Sequence, residues 1–469
     1  MSANTSNSNK AIEIFKKILP SPFTIAILLS FFTLLLAMII TKPDDTTTGK
    51  YFVYLVSSWE AGLWDSSGGG LYFAFQMMLI LVLGHILALT PFVNKIIQAL
   101  INYCKDTKSS VVIVSFTAII VGLINWGMGL IFGAIIARKI GEKFAKEQKK
   151  INYGLVGAAA YVTMMVWHGG LSGSATTKSM EIGSIQEMMQ NVGSVEAFPE
   201  SIPFEATIGS NMNIIVILLC LLCIPLFLFF LANKTKNAEK IPAFKEKLQY
   251  KEENKKFIKK GAERLDYSAF FGITLGVFIL FIGLYQAYTY QGASSLGFIN
   301  LNFINLMFLG LGICLHKSIF NFSVALQEAI GDVSGILIQF PFYFGILAIM
   351  KNSGLIIVFS DAITAVATEK TLPIFTFLSA GLVNFFVPSG GGQWAVQGPI
   401  ILETTSELGG DYAKSILAMA YGDQLTNMIQ PFWALPLLGI TELKPQELLP
   451  YTFLLFLVGL FIFGLALLI

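Results

Sequence analysis

Long apolar runs separated by short polar stretches make up most of this sequence. Runs at 22–41, 71–93, 110–137, 151–168, 207–231, 267–289, 297–315, 332–350, 371–402, 412–441 and 449–469 read as helices. A helix needs about 20 consecutive apolar residues to cross a bilayer. The pattern therefore predicts an all-α polytopic membrane protein. Composition supports it: 55% of the 469 residues are hydrophobic, 13% are charged, and mean hydropathy is +0.69. A soluble domain carries about a quarter charged residues. A disordered chain, a nucleic-acid-binding module and an ordinary soluble enzyme are excluded. Cys104, Cys220, Cys223 and Cys314 make no disulfide framework. Cys220 and Cys223 sit inside an apolar run and read as buried thiols. Residues 1–21 are polar, with no small-residue cleavage pattern, and are not a signal peptide.

Charge sets the sidedness. Lysine and arginine in short loops mark the cytoplasmic face. Lys10, Lys16 and Lys17 place the N-terminal segment 1–21 inside. Loop 42–70 is acidic and suits the outside, and loop 94–109, with Lys95, Lys105 and Lys108, returns inside. Loop 138–150 is basic too, with Arg138, Lys139, Lys143, Lys146, Lys149 and Lys150. One crossing at 110–137 would put it on the wrong face. A re-entrant hairpin over 110–137, with its tip at Asn125-Trp-Gly-Met-Gly129, removes the conflict. A single long tilted helix is the alternative. Loop 178–206 is acidic and reads as external. Segment 232–265 holds eleven Lys or Arg against five acids and reads as a cytoplasmic linker between two halves. Residues 266–296 carry a connecting helix.

The halves echo each other. Ile86-Leu87-Ala88 recurs as Ile346-Leu347-Ala348, Gly122-Leu-Ile-Asn125 as Gly381-Leu-Val-Asn384, and Ala160-Tyr161 as Ala420-Tyr421, at offsets of 260, 259 and 260 residues. The segments flanking 371–402 are acid-rich, as a hairpin entering from outside requires. Residues 22–231 and 297–469 thus read as two inverted-topology repeats. Each holds a re-entrant hairpin (110–137, 371–402) and a broken helix (151–177, 412–441). Transporters of this architecture bind cargo near the midplane, between the repeats.

Four polar breaks interrupt the apolar runs: 125–129, 168–177, 387–394 and 422–431. Freed N–H groups at half-helix starts suit a carboxylate. Ser172, Ser174, Thr176, Ser389 and Gln393 add neutral donors, and Gly173, Gly390 and Gly391 let backbone approach. Carbonyls at half-helix ends, with Asn125 or Asn384, suit Na⁺. Asp423 is the one acid well inside a predicted span, so it either handles a coupling cation with Asn427 or makes a structural hydrogen bond. His168 either touches substrate or is structural. His85 reads as structural and His316 as interfacial. Trp126, Trp167, Trp394 and Trp433 either wall a pocket or fill core space. No metal-ligand spacing, nucleophile elbow, phosphate-binding loop or redox motif is present.

The strings NWGMGL, HGGLSGS, NLMF, LHK, GILIQFPFYFGI, NFFVPSGGGQWAVQGP and AYGDQLTNMIQPFWALP resemble the short-chain fatty acid transporter family. The likeness runs from about residue 20 to the end, outside the basic linker. It implies uptake of short-chain monocarboxylates such as butyrate or acetoacetate across a bacterial inner membrane. More distantly, that family is similar to the ion transporter superfamily of divalent anion/sodium symporters. This implies a homodimer, a moving transport domain and an elevator mechanism. The Ser-Asn-Thr hairpin signature of those symporters is missing at both tips here, which leaves sodium coupling open. The expectation is a secondary active transporter and not an enzyme, with no organic cofactor, no nucleic-acid partner and H⁺ or Na⁺ as coupling ion. Ser172, Gly173, Ser174, Thr176, Ser389, Gly390, Gly391, Gln393, His168 and Trp394 are its candidate substrate residues. Asn125, Asn384, Asp423 and Asn427 are the candidates for the cation. A transporter of another small anion or amino acid on this fold is the nearest alternative. It is disfavoured for dicarboxylates because Lys178 is the only base near a break. A passive anion channel is the next.

Overall fold

The computed structural model describes residues 22–64, 70–180, 183–191, 198–235, 244, 261–291, 298, 301–386, 388, 390–430 and 432–468. Its regular elements are helices. The first half runs α1 (Pro22–Ile40), α2 (Thr48–Leu63), α3 (Gly70–Ala88), α4 (Pro91–Asn102), α5 (Thr107–Ile124), α6 (Trp126–Lys146), α7 (Tyr153–Tyr161), α8 (Ser174–Met180), α9 (Ser184–Asn191) and α10 (Asn211–Lys234). The second runs α11 (Ala269–Thr289), α12 (Leu301–His316), α13 (Ile319–Ala329), α14 (Ser334–Asn352), α15 (Leu355–Thr364), α16 (Leu372–Phe386), α17 (Gly390–Glu407), α18 (Tyr412–Thr426), α19 (Ala434–Thr441) and α20 (Pro445–Leu468).

Helices α2, α4, α9, α13 and α15 fall where the sequence reading places loops. Each is short or carries charges that dilute its apolar content. Helix α2 holds Lys50 and Glu60, yet buries Tyr51, Leu55, Ser58, Gly62 and Leu63. It is held by contacts remote in sequence: a Cβ on Gly62 would lie 2.6 Å from the Phe344 carbonyl of α14, and Trp59 donates to the Ser30 hydroxyl of α1.

Among the described residues, five stretches are long and apolar enough to cross a membrane: α5, the run from α7 through α8, α10, α11 and α20. The protein is a multi-pass membrane protein. Burial sorts these stretches. The α7–α8 run is 94% buried and lies innermost, while α11 is 17% and α10 28% buried. Both α10 and α11 leave much of their apolar surface exposed.

Residues 107–146 fold back on themselves. Lys143, near the end of α6, donates to the carbonyls of Ile101 and Cys104 at 2.9 and 3.0 Å, just before α5 begins. Asn152 N donates to Thr107 Oγ1 at 3.1 Å. Both feet of the hairpin therefore share one end. At the turn, Asn125 leaves the helix, and its Oδ1 accepts from Gly127 and Met128 N–H, capping α6. Gly122 and Gly129 face each other so closely that a Cβ on Gly129 would lie 2.6 Å from Gly122. The pair α16–α17 doubles back similarly: Gln393 beside the break donates to the Ala380 carbonyl, while a Cβ on Gly410 would meet Leu372 at the far end.

Both broken helices unwind. After α7 the chain passes through 3₁₀ turns at Val162–Met165 and Trp167–Gly169 before α8. After α18 it passes through a 3₁₀ turn at Asn427–Ile429 before α19.

Candidate functional site

The unwound turn Trp167–Gly169 and the end of α18 meet in the protein interior. His168 is fully buried and Asp423 is 1% exposed. His168 Nδ1 bonds the Asp423 carboxylate. The second ring nitrogen, Nε2, accepts from the Ala175 N–H at 2.9 Å. A backbone N–H can only donate, so Nε2 carries no proton and Nδ1 carries the ring's hydrogen. In this tautomer the ring donates through Nδ1 to the Asp423 carboxylate.

Gln424 fixes the turn. Its Oε1 accepts from the N–H groups of His168 and Gly169 at 2.9 and 3.2 Å. Asn213 of α10 donates to the Gly169 carbonyl at 2.8 Å and accepts from the Tyr421 hydroxyl at 2.9 Å. These donors and acceptors replace the ladder bonds that unwinding frees, as membrane depth demands. The sequence reading did not select Gln424, although it adjoins Asp423 in the quoted string. Asn213 carried no signal.

The second hairpin's tip lies against this turn. A Cβ on Gly390 would lie 2.7 Å from the Trp167 ring and 3.0 Å from the His168 ring. Gly391 faces the Ser174 hydroxyl, 3.8 Å from where its own Cβ would sit. His168, Ser174, Gly390, Gly391 and Asp423 are thus brought together. The remaining candidates have other partners. Ser172 Oγ accepts from Trp126 N at 3.0 Å and ties the first hairpin's tip to the turn. Thr176 Oγ1 donates to the carbonyls of His168 and Gly173. Gly173 leaves no room for a side chain, because a Cβ would lie 2.0 Å from the His168 carbonyl. Gln393 Nε2 donates to Ala380 and Gln397 inside the second hairpin. Trp394 packs in a separate apolar cluster with Ala175, Ala380 and Ile401. Ser389 and Pro431 lie outside the described residues.

Among the cation candidates, Asn125 spends its Oδ1 on the α6 cap. Asn384 Nδ2 reaches the Asp423 carbonyl (2.7 Å), Thr426 Oγ1 (2.9 Å) and Asn427 Oδ1 (2.9 Å). Asn384 Oδ1 is buried with no donor among the described residues. Asn427 bridges the halves: its Nδ2 donates to the Met164 carbonyl and its own carbonyl accepts from the Tyr161 hydroxyl. No group of three or more His, Cys, Asp or Glu side chains suited to a metal occurs among the described residues. Any Na⁺ here would rely on carbonyl and amide oxygens with Asp423.

Aromatic rings wall one side. Trp126 lies 4.8 Å from Trp433 and 6.0 Å from Trp167, and Trp167 stacks on His168 at 4.4 Å. The arrangement offers neutral donors, the buried His168–Asp423 pair and apolar rings.

Similarity to known proteins agrees. The profile of the family described as short chain fatty acid transporter matches residues 5–469. A Haemophilus influenzae protein, curated under the provisional name of short-chain fatty acid transporter, is 35% identical over 462 residues, covering 96% of each chain. An Escherichia coli K12 protein with the same provisional name is 34% identical over 456 residues, again covering 96% of each. Among solved structures, the YdaH transporter of Alcanivorax borkumensis aligns over 95% of this chain and 98% of its own, at 14% identity. Its TM-score of 0.42 is too low to establish a shared fold. By sequence over nearly its whole length, the chain belongs to the short-chain fatty acid transporter family.

Proposed function

We propose that the protein is a secondary active transporter that takes up short-chain monocarboxylates, such as butyrate or acetoacetate, in symport with protons. The observation that carries this is the buried His168–Asp423 pair beside the tip of the second hairpin. An anionic cargo arriving next to Asp423 meets like charge at low dielectric, which is costly. A proton taken up by the pair cancels that charge, so cargo and proton bind best together. His168 Nε2 is also tied to α8 through Ala175 N–H. A proton on Nε2 removes that acceptor and frees the start of α8, linking protonation to movement.

A Na⁺-coupled version is favoured by one observation, the buried Asn384 Oδ1 that lacks a donor beside Asp423 and Asn427. An oxygen so placed suits a hard cation. The wider reading comprises an inner-membrane homodimer with a cytoplasmic N-terminus, two inverted repeats and elevator-type motion. Charge placement supports it. So does the parallel packing of each hairpin on its broken helix: a Cβ on Gly122 would touch Thr163, and one on Gly381 would touch Thr426.

The test is uptake of radiolabelled butyrate and acetoacetate into proteoliposomes under a pH gradient and a Na⁺ gradient imposed separately. Accumulation above equilibrium under the pH gradient alone is expected, together with its loss in a folded Asp423→Asn protein. Accumulation under Na⁺ alone moves the coupling to the Asn384 oxygen. Equilibration under both gradients sinks the symporter.

A further inference from the structure

Trp167 is 3% exposed, and its indole Nε1–H has no acceptor among the described residues. A buried tryptophan N–H ordinarily finds a partner, and an unmade bond of this kind costs stability. The ring itself is rigidly held. It stacks on His168, lies 6.0 Å from Trp126, and meets the backbone of Gly390, where any Cβ would fall 2.7 Å from its edge. The donor is therefore preorganised beside the hairpin tip rather than left loose. Next to Gly390 in the first turn of α17, Gly391 faces Ser174.

We infer that the Trp167 indole N–H is a substrate-binding donor that receives one oxygen of the monocarboxylate. This rests on the cargo class proposed above and adds to it the residue that recognises the carboxylate. A single neutral donor on a flat ring suits one carboxylate. It requires no counter-charge beside the His168–Asp423 pair, where a lysine or arginine would compete for Asp423. The neighbouring rings of Trp126 and Trp433 present carbon to a short alkyl chain. A neutral four-carbon analogue, 1-butanol, lacks the anionic acceptor and should not engage the indole.

The experiment has two readouts. The first is the KM for butyrate uptake into proteoliposomes by Trp167→Phe, which keeps the ring and its stacking but removes the N–H. A rise of at least about tenfold is expected, as for a lost hydrogen bond to a charged group. Trp167→Leu, which also lacks a donor, serves if the Phe variant does not elute as a folded protein. The second is the indole ¹⁵N–H spectrum of the wild type, which holds six tryptophans. One indole signal, absent from the variant, should move downfield on adding butyrate and stay put with 1-butanol. A wild-type KM in the folded variant overturns the assignment, and so does an indole signal indifferent to butyrate at concentrations that saturate uptake. If the wild type accumulates no short-chain carboxylate at all, the cargo reading fails and this assignment falls with it.

Discussion

Glycines at the breaks differ in what a single methyl group would do, and the difference separates structural positions from functional ones. At Gly173 an added Cβ would press on the His168 carbonyl at 2.0 Å and on Thr176 Oγ1 at 2.5 Å. Backbone cannot yield there, so Gly173→Ala is expected to cost about 1–3 kcal/mol or more and to lower the apparent Tm in detergent. At Gly391 the nearest atom is Ser174 Oγ at 3.8 Å. Gly391→Ala should fold normally and alter uptake instead, through cargo approaching the same backbone. Thermal melts and uptake on the two variants, run side by side, check the contrast. The sequence picks out these glycines because they cluster at breaks, but it gives no distance between them. His168 and Asp423 are likewise separately conspicuous. Their bond spans 255 residues, and no local pattern encodes a contact of that range.

At the scale of elements, the first hairpin is fixed by its caps. Asp106 begins α5 with a reciprocal capping box to Ser109. Burial alone would raise the Asp106 carboxyl, but the Ser109 N–H and hydroxyl and the nearby Lys108 outweigh it and hold it below the ordinary value. A carboxyl lowered by folding stabilises the fold above its unfolded value and loses that contribution as pH falls through its folded one. Asp106→Asn keeps the cap without the titration. Its melting temperature should therefore fall less than that of the wild type as pH drops below about 4. At the hairpin's turn, Asn125→Ala removes the acceptor of two N–H groups and should cost about 1–2 kcal/mol, whereas Asn125→Ser restores most of it. Melts of the three proteins decide this, and a large uptake defect in a normally stable Ser variant would point to a cation role for Asn125. The turn at Asn125 was legible because basic segments flank residues 110–137 on both sides. The short helices α2, α4, α9, α13 and α15 were not. In α2, α4, α9 and α13 the apolar residues are spaced for one face rather than run together, and α15 is too short to span a bilayer.

For the molecule as a whole, the informative contacts are those that join the halves. Arg138 of α6, 4% exposed, donates to the Ile440 carbonyl at 2.8 Å and to Glu442 at 3.1 Å, while its Nε bonds Glu142. Glu442 takes a left-handed φ of 57° to follow α19. Phe244, from the basic linker, lies over the Arg138 guanidinium at 5.5 Å. Breaking a buried ion pair costs about 3–5 kcal/mol when a charge is stranded. Here the two glutamates keep 32% and 23% of their side-chain exposure and can rehydrate. Arg138→Met should accordingly lose about 2 kcal/mol, read as a lower apparent Tm with the oligomeric state unchanged. Repeated motifs in the sequence point to a two-part plan. The clasp was not, because Arg138 reads there simply as one more cytoplasmic base.

Several partners of each unwound segment lie in the opposite half. His168 waits for Asp423, Gly169 for Gln424 and Met164 for Asn427. During synthesis, the ribosome must add more than half of the chain after His168 before any of these groups is satisfied. A nascent chain interrupted earlier leaves polar backbone stranded in the bilayer, a form that membrane quality-control proteases recognise. Half-chains divided in the lysine-rich segment 245–260 should therefore be degraded when made singly and persist when co-expressed, as an immunoblot of membranes would register. Translation errors late in the message would then remove the protein altogether, so the membrane would seldom hold a partly built and leaky version of it.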